Sequence, residues 1–269
     1  MMGPNPVLLS RARAPRLSVV FQRIGGYKAS QRRSAAEQRR VQAKQDQKTV
    51  AMPDYSAARY NMVEGQVRPN KVTDQALVDA MSKIPRELFV PKASRGIAYV
   101  DEDIPVAKGR YLIEPMVMAR LLQEARVKPT DIVLDVGACT GYASALLSRM
   151  AATVVALESD AELATRADAT LRDLGVDNVV LVQGPLEQGY AKQAPYDVIL
   201  LHGAVAEVPP AILEQLADGG RLVTVVSPDG RMGQARLFQR TGKVETGRIL
   251  FDAATPLLPG FEPKPVFEF

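Results

Sequence analysis

The stretch from Asp131 to Glu158 constrains the fold more than any other part of this chain. It reads DIVLDVGACTGYASALLSRMAATVVALE, in which an apolar run ends at Gly137 and a loop of small residues leads into a helix-like segment. A second, β-branched run then ends in the acid Glu158. A strand, a glycine turn, a helix, a strand and an acid in this order are typical of a site for a nucleotide-type cofactor.

The sequence after this stretch continues the alternation of strands and helices. Apolar runs predict three further strands and a closing hairpin, at 179–183, 198–201, 221–226, and 235–240 paired with 245–252. The segment AILEQLA, after Pro209-Pro210, predicts a helix that Gly219-Gly220 ends. This order predicts an α/β fold over residues 131–269, with a doubly wound, mostly parallel sheet of the seven-stranded type.

Residues 52–130 are predicted to form an N-terminal helical region. Apolar residues recur at helical spacing over 54–81, with a break at Pro69 and a second helix start at Thr73-Asp74. Pro115 is suited to the first turn of a further helix, MVMARLLQEA.

Residues 1–51 are predicted to be a separate basic leader. Residues 1–50 hold eleven Lys and Arg against two acids, which leaves 23 bases and 28 acids for the rest of the chain. Three interpretations stay open: a disordered basic tail or upstream sequence included by a misplaced start, an organelle-type presequence, and an arm for nucleic acid or a membrane surface. The polar, Gln-rich composition favours the first.

Composition also limits the kinds of site. The single cysteine, Cys139, excludes an internal disulfide framework, and the single histidine, His202, excludes a histidine-rich metal site, so we expect no metal. The acidic balance after residue 50 argues against a nucleic-acid groove. No apolar run approaches the roughly 18 residues of a membrane span. We therefore expect a soluble, cytoplasmic protein that binds no nucleic acid; the sequence does not indicate its oligomeric state.

The glycine loop narrows the choice of cofactor. A dinucleotide fingerprint would place glycines where this chain has Cys139 and Tyr142, and the loop lacks the Gly-Lys-Ser/Thr of a phosphate loop. Asp135 would repel phosphate but suits an ammonium group, and a carboxylate such as Glu158 can accept hydrogen bonds from two ribose hydroxyls. S-adenosylmethionine has an amine, a sulfonium and a ribose but no phosphate. The predicted donor-binding residues of this stretch are Asp135, Gly137, Ala138, Cys139, Gly141 and Glu158, with Cys139 as a small loop residue and not a nucleophile.

Four segments in order carry a family resemblance. IPRELFVP, AYVDEDIPV, a Gly109-to-Pro115 segment and VLDVGACTGY resemble the protein-L-isoaspartate O-methyltransferase family, from about Met52 to about Val226. The resemblance implies the Rossmann-like fold of S-adenosylmethionine-dependent methyltransferases. It also implies transfer of a methyl group to the carboxylate of a damaged aspartyl residue in a protein or peptide.

The chain departs from the family on the acceptor side. Where the family has a Gln-Thr-Ile-Ser-like segment, this chain has residues 110–113, so the hydroxyl position is Ile113. A family Gly-Asp-Gly is replaced by Gly184-Pro185-Leu186, which places Pro185 and Leu186 near the adenine. Tyr111 and His202 are the candidate replacement polar groups, and the catalytic residues are otherwise unassigned.

Three hypotheses follow. The chain is a protein-L-isoaspartate-type methyltransferase, an S-adenosylmethionine-dependent enzyme with a different acceptor, or a relative that binds the donor without catalysis. Ile113 is the difficulty for the first hypothesis.

Overall fold

The computed structural model describes residues 54–242 and 244–263. The predicted leader, residues 1–51, lies outside this part of the chain. The helices are α1 (Tyr55–Met62), α2 (Gln75–Lys83), α3 (Pro115–Ala125), α4 (Tyr142–Ser148), α5 (Ala161–Asp173) and α6 (Pro210–Leu213). The strands are β1 (Ile104–Ala107), β2 (Arg110–Leu112), β3 (Ile132–Val136), β4 (Thr153–Glu158), β5 (Val179–Gln183), β6 (Tyr196–Val205), β7 (Leu216–Val226), β8 (Gly233–Thr241) and β9 (Val244–Ala253).

Side-chain caps start the first two helices, and the second of these starts is the one predicted at Thr73-Asp74. The Asp54 carboxylate accepts hydrogen bonds from the amides of Ser56 and Ala57, and Asp74 accepts one from the amide of Leu77 at 3.1 Å. Between them, α1 continues through a π-turn and a 3₁₀ turn that contains Pro69. The predicted helical region with its break is therefore confirmed.

The main sheet has seven strands in the order β5-β4-β3-β6-β7-β8-β9. The first five strands are parallel, and β8 and β9 close the sheet as antiparallel neighbours. The predicted fold class is confirmed. The chain runs from β3 outward to β4 and later returns to the other side of β3 with β6, so the strand order reverses at β3. Parallel sheets bind ligands outside the carboxyl ends of the strands at such a point.

One predicted element is wrong. The helix expected over AILEQLA ends at Leu213, and β7 begins at Leu216, opposite Tyr196 of β6. The Gln215 side chain turns inward, accepting a hydrogen bond from the Tyr190 amide and donating to the Gln188 carbonyl. Strand pairing and this buried amide outweigh the helical propensity of the segment. None of the described helices is both long and apolar enough to cross a bilayer.

Candidate active site

The loop from Gly137 to Gly141 turns sharply at the carboxyl end of β3. Gly137, Cys139 and Gly141 all have positive φ angles, of 77°, 58° and 92°. The Gly137 and Ala138 amides both donate to the Leu157 carbonyl of β4, at 2.9 and 3.0 Å. Glycine adopts this backbone region without steric cost, which explains the glycines at the two ends of the loop. The loop is thereby held against the end of β4.

Glu158 is joined to the loop by its carboxylate. It is fully buried, and it accepts hydrogen bonds from the amides of Cys139 at 2.7 Å, Ser159 at 2.8 Å and Asp160 at 3.0 Å. Three backbone N–H groups thus satisfy the oxygen atoms of this buried carboxylate. The structure therefore brings Glu158 and the glycine loop together, as the sequence predicts.

Arg110 is a residue of this site that the sequence reasoning missed. Its Nη1 forms a buried salt bridge with Glu158 Oε1, and its Nη2 donates to the Gly137 carbonyl at 2.9 Å. The side chain is only 4% exposed. The guanidinium thus contacts both the loop and Glu158, the carboxylate that is predicted to bind the ribose hydroxyls. Arg110 lies in the 110–113 segment, in which the sequence pattern pointed to Tyr111 and Ile113 instead.

Asp135 lies near the carboxyl end of β3, and His202 lies within the adjacent strand β6. Their side chains face each other. Asp135 Oδ2 accepts a hydrogen bond from Ser144 Oγ at 2.6 Å, while Oδ1 has no partner among the described residues and lies 3.9 Å from His202 Nδ1. Burial raises the pKa of Asp135 to about 7 and lowers the pKa of His202 to about 3. His202 is therefore neutral at physiological pH, and neither ring nitrogen has a partner in the described chain.

The residues predicted to bind S-adenosylmethionine are in place for its ammonium group, but its ribose can bind only after Arg110 has moved. The buried, unpaired Asp135 Oδ1 suits the donor's ammonium group, because a buried carboxylate needs a cationic or hydrogen-bonding partner. Glu158 suits the ribose only after the guanidinium of Arg110 has turned away from it.

Arg86 fixes the acceptor segment, and the sequence reasoning assigned it no role. It is completely buried, its Nε donates to the Ala98 carbonyl, and its Nη2 donates to the Ile113 carbonyl, both at 2.7 Å. Burial lowers the pKa of Arg86. The IPRELFVP segment thus positions Ile113, and Thr140 ties it to the glycine loop by donating to the Phe89 carbonyl at 2.6 Å.

The segment after β9 forms the remaining wall. Its backbone is bonded to β6, since the Ala204 amide donates to the Pro256 carbonyl at 3.0 Å and the Leu258 amide donates to the Ala204 carbonyl at 2.8 Å. A Cβ placed on Gly203 would lie 2.6 Å from the Leu258 side chain, and one on Gly137 would lie 2.9 Å from it. Leu258 therefore fills the gap between two glycines that the donor would otherwise face.

A small cavity of about 10 Å³ remains on the acceptor side, and Tyr111, Ile113, His202 and Thr255 are among the residues that line it. Tyr111 is half-buried, and Ile113 is 1% exposed and offers no polar side-chain atom. The structure brings these three predicted acceptor-side residues, Tyr111, Ile113 and His202, to one place. Their roles stay predictions.

Three other residues predicted to bind the methyl donor, Pro185, Leu186 and Cys139, differ in their exposure to solvent. Leu186 is buried in the core, and Pro185 beside it is exposed, so Pro185 is the one available at the surface. Cys139 is buried and burial raises its pKa to about 12, so the thiol is protonated and unreactive as a nucleophile.

Comparison with known proteins gives the family. The family model for protein-L-isoaspartate(D-aspartate) O-methyltransferase matches residues 58–255. The chain belongs to this family. A protein-L-isoaspartate O-methyltransferase of Methanoculleus marisnigri is 39% identical over 188 residues, which cover 70% of this chain and 86% of that protein. A relative of the same name from Koribacter versatilis is 42% identical over 67% of this chain and 83% of its own.

A solved protein-L-isoaspartate O-methyltransferase superposes with a TM-score of 0.67 at 26% identity, covering 76% of this chain and 67% of that one. Membership of this family confirms the resemblance carried by the four sequence segments. It also makes S-adenosylmethionine the cofactor, because the protein-L-isoaspartate O-methyltransferase family uses this methyl donor.

Proposed function

We propose that this chain transfers a methyl group from S-adenosylmethionine to the free carboxylate of isoaspartyl residues in damaged proteins or peptides. The observation that carries the proposal is the buried Asp135 Oδ1, left without a partner beside a glycine loop that is bonded to Glu158. In a member of the protein-L-isoaspartate family, this arrangement supplies an anion for the donor's amine and an acceptor for its ribose.

When bound, S-adenosylmethionine supplies a methyl group activated by a positively charged sulfur. Asp135 pairs with the ammonium group and is thereby kept ionised, since a neighbouring cation lowers the pKa that burial raises. Glu158 holds the ribose hydroxyls once Arg110 has released it. Gly137 and Gly203 have no side chains, so they leave room for the methyl donor beside β3 and β6 once Leu258 has moved.

The acceptor needs no general base, because an isoaspartyl carboxylate is already an anion. The chain's contribution is to position this carboxylate and to exclude water. Neutral His202 has one N–H to donate to a carboxylate oxygen, and Tyr111 lines the same cavity. Ile113 gives no such bond, so the acceptor is held by other groups than in the family pattern.

We also propose a division into a basic leader (1–51), an N-terminal helical region (52–130) and a donor-binding domain (131–269), in a protein that acts in the cytoplasm on protein or peptide substrates and not on nucleic acid. The charge contrast between the leader and the rest of the chain supports this division.

The test uses the full chain, donor carrying a labelled methyl group, and a pair of peptides that differ only in an isoaspartyl or a normal aspartyl linkage. We expect base-labile methyl ester on the isoaspartyl peptide alone. Ester on neither peptide, with S-adenosylhomocysteine still bound, would refute the proposed acceptor.

A second candidate is an S-adenosylmethionine-dependent enzyme with a different acceptor. The buried, apolar Ile113 at the family's hydroxyl position favours it. This second candidate would be supported if the labelled methyl group were transferred to a component of a cell extract that lacks isoaspartyl proteins, and not to the isoaspartyl peptide.

A further inference from the structure

The acceptor cavity contains a hydroxyl that has no assigned role. Thr255 follows β9 and lines this cavity together with Ile113 and His202. It is 7% exposed, and its Oγ1 makes no well-formed hydrogen bond among the described residues, although it lies beside the Asp103 carboxylate. Buried hydroxyls are almost always paired, so an unpaired one beside a candidate active site calls for an explanation.

The groups around this hydroxyl are few. Asp103 lies close enough for the Thr255 hydroxyl to oppose the rise in pKa that burial imposes on that carboxylate, and the Glu114 amide donates to Asp103 at 2.9 Å. On the other side, His202 is neutral. No described cation lines the cavity except Arg110, which is paired with Glu158. Arg86, which donates to the Ala98 and Ile113 carbonyls, does not line the cavity, but its charge lowers the pKa of both His202 and Asp103. Apart from the paired Arg110, the donors that line the cavity itself are therefore uncharged.

The backbone holds Thr255 in a fixed position. The next residue, Pro256, accepts a hydrogen bond from the Ala204 amide of β6, two residues beyond His202. Thr255 and His202 are thus carried by two segments that are bonded to each other. A hydrogen-bond donor that a fixed backbone already holds in place loses little conformational entropy when a ligand binds.

We propose that Thr255 replaces the hydroxyl that the chain lacks at Ile113, and that its Oγ–H donates to one oxygen of the acceptor carboxylate. This inference rests on the proposed function. During transfer, the other carboxylate oxygen forms a bond to the methyl carbon, the bond from that carbon to sulfur breaks, and its electron pair stays on sulfur. The products are a methyl ester and a neutral thioether, and Thr255 keeps its proton.

The charge change in this step determines which kinetic constant Thr255 affects. The carboxylate carries a full negative charge before transfer and loses it as the ester forms. A hydrogen bond from Thr255 is therefore at least as strong to the bound substrate as to the transition state. Its removal raises KM for the peptide and leaves kcat nearly unchanged.

The test compares Thr255→Val, Thr255→Ser and the double variant Ile113→Ser/Thr255→Val in the full chain. Thr255→Val is expected to raise KM for an isoaspartyl peptide about ten- to a hundredfold, as expected for a hydrogen bond to a charged group. Thr255→Ser keeps KM within about threefold of the parent, and Ile113→Ser in the Val background lowers KM again. Thr170→Val removes a hydroxyl on α5 that donates to the Arg166 carbonyl, and it serves as the control for folding.

The outcomes separate the two proposals. If the parent chain forms no ester, the proposed function fails and the role of Thr255 fails with it. If the parent is active and Thr255→Val keeps its KM, only the inference about Thr255 is overturned. Equal losses in the Val and Ser variants, or no rescue by Ile113→Ser, also overturn it, because a purely structural role predicts those results. Binding of S-adenosylhomocysteine by every variant confirms that the donor site is intact.

Discussion

Replacing Arg110 by methionine should tighten donor binding, although it removes a buried salt bridge. The Arg110 guanidinium occupies the Glu158 carboxylate and the Gly137 carbonyl. A ribose can reach Glu158 only when both contacts have been broken. We therefore predict a closed form, in which Arg110 is paired with Glu158, and an open form that binds the donor. Methionine keeps most of the side-chain length and volume but cannot bind the carboxylate.

The expected size follows from the two contacts. A hydrogen bond to a charged group contributes about 1.5–3 kcal/mol, and water replaces part of it when the guanidinium turns outward. A closed form favoured by about 2 kcal/mol leaves roughly 3% of the molecules open, so the apparent Kd is about thirtyfold higher than the intrinsic one. Arg110→Met should recover roughly ten- to thirtyfold in affinity. Glu158 keeps three amide donors, so we expect the free energy of unfolding to fall by about 3 kcal/mol, at the low end of the cost of breaking a buried ion pair.

Calorimetric titration with S-adenosylhomocysteine measures this effect, and urea unfolding measures the stability. Arg221→Met is the matched control, because Arg221 forms a 2.7 Å salt bridge with Asp131 at the opposite end of β3. It should lower stability without changing the Kd. An Arg110→Met protein that binds S-adenosylhomocysteine with unchanged affinity would refute the closed form. Weaker binding would show that Arg110 is itself a donor ligand.

Three further predictions concern the donor site. Glu158→Gln places an amide NH₂ against backbone amides that need an acceptor, so the melting temperature should fall and titration should show at least about a hundredfold weaker S-adenosylhomocysteine binding; unchanged affinity would exclude a ribose role. Because burial raises the pKa of Asp135 to about 7 from its ordinary value of 3.8, its contribution to stability is full below about pH 4 and is lost as the pH rises to about 7. Urea unfolding of Asp135→Asn should therefore show a smaller loss of stability over this range than the parent, and equal slopes would contradict the shift. The Cys139 thiol, with a pKa raised to about 12, should react with a disulfide reagent at pH 8 only at the rate of unfolding; rapid reaction of the folded protein would show that the loop opens.

The donor half of the site could be predicted from the sequence because it is local. Asp135, the glycine loop and Glu158 lie within one strand-turn-helix-strand unit, whose geometry is nearly fixed by its pattern. Arg110 could not be found in the same way. Its partner is 48 residues away, and nothing in a short strand reveals that a guanidinium points under the loop rather than into solvent.

The acceptor half depends on contacts between distant segments. Arg86 holds the Ile113 carbonyl across 27 residues, and residues 256–258 bond to Ala204 in β6. Sequence patterns indicate elements but not which buried polar group meets which backbone atom. The prediction of a helix over AILEQLA was wrong for a related reason, because the pairing of Leu216 with Tyr196 determines where β7 begins.

The position of the closing segment in the chain has a consequence for biosynthesis. The glycine loop and Glu158 leave the ribosome about a hundred residues before Thr255 and Leu258. At translation rates of about 5–20 residues per second, this is a delay of roughly 5–20 seconds. During that interval the growing chain contains Asp135, the glycine loop and Glu158, but it lacks both Leu258, which fills the gap between Gly137 and Gly203, and the other residues of the wall beside the acceptor cavity. The residues of the donor site are thus synthesised before the residues that complete the acceptor cavity.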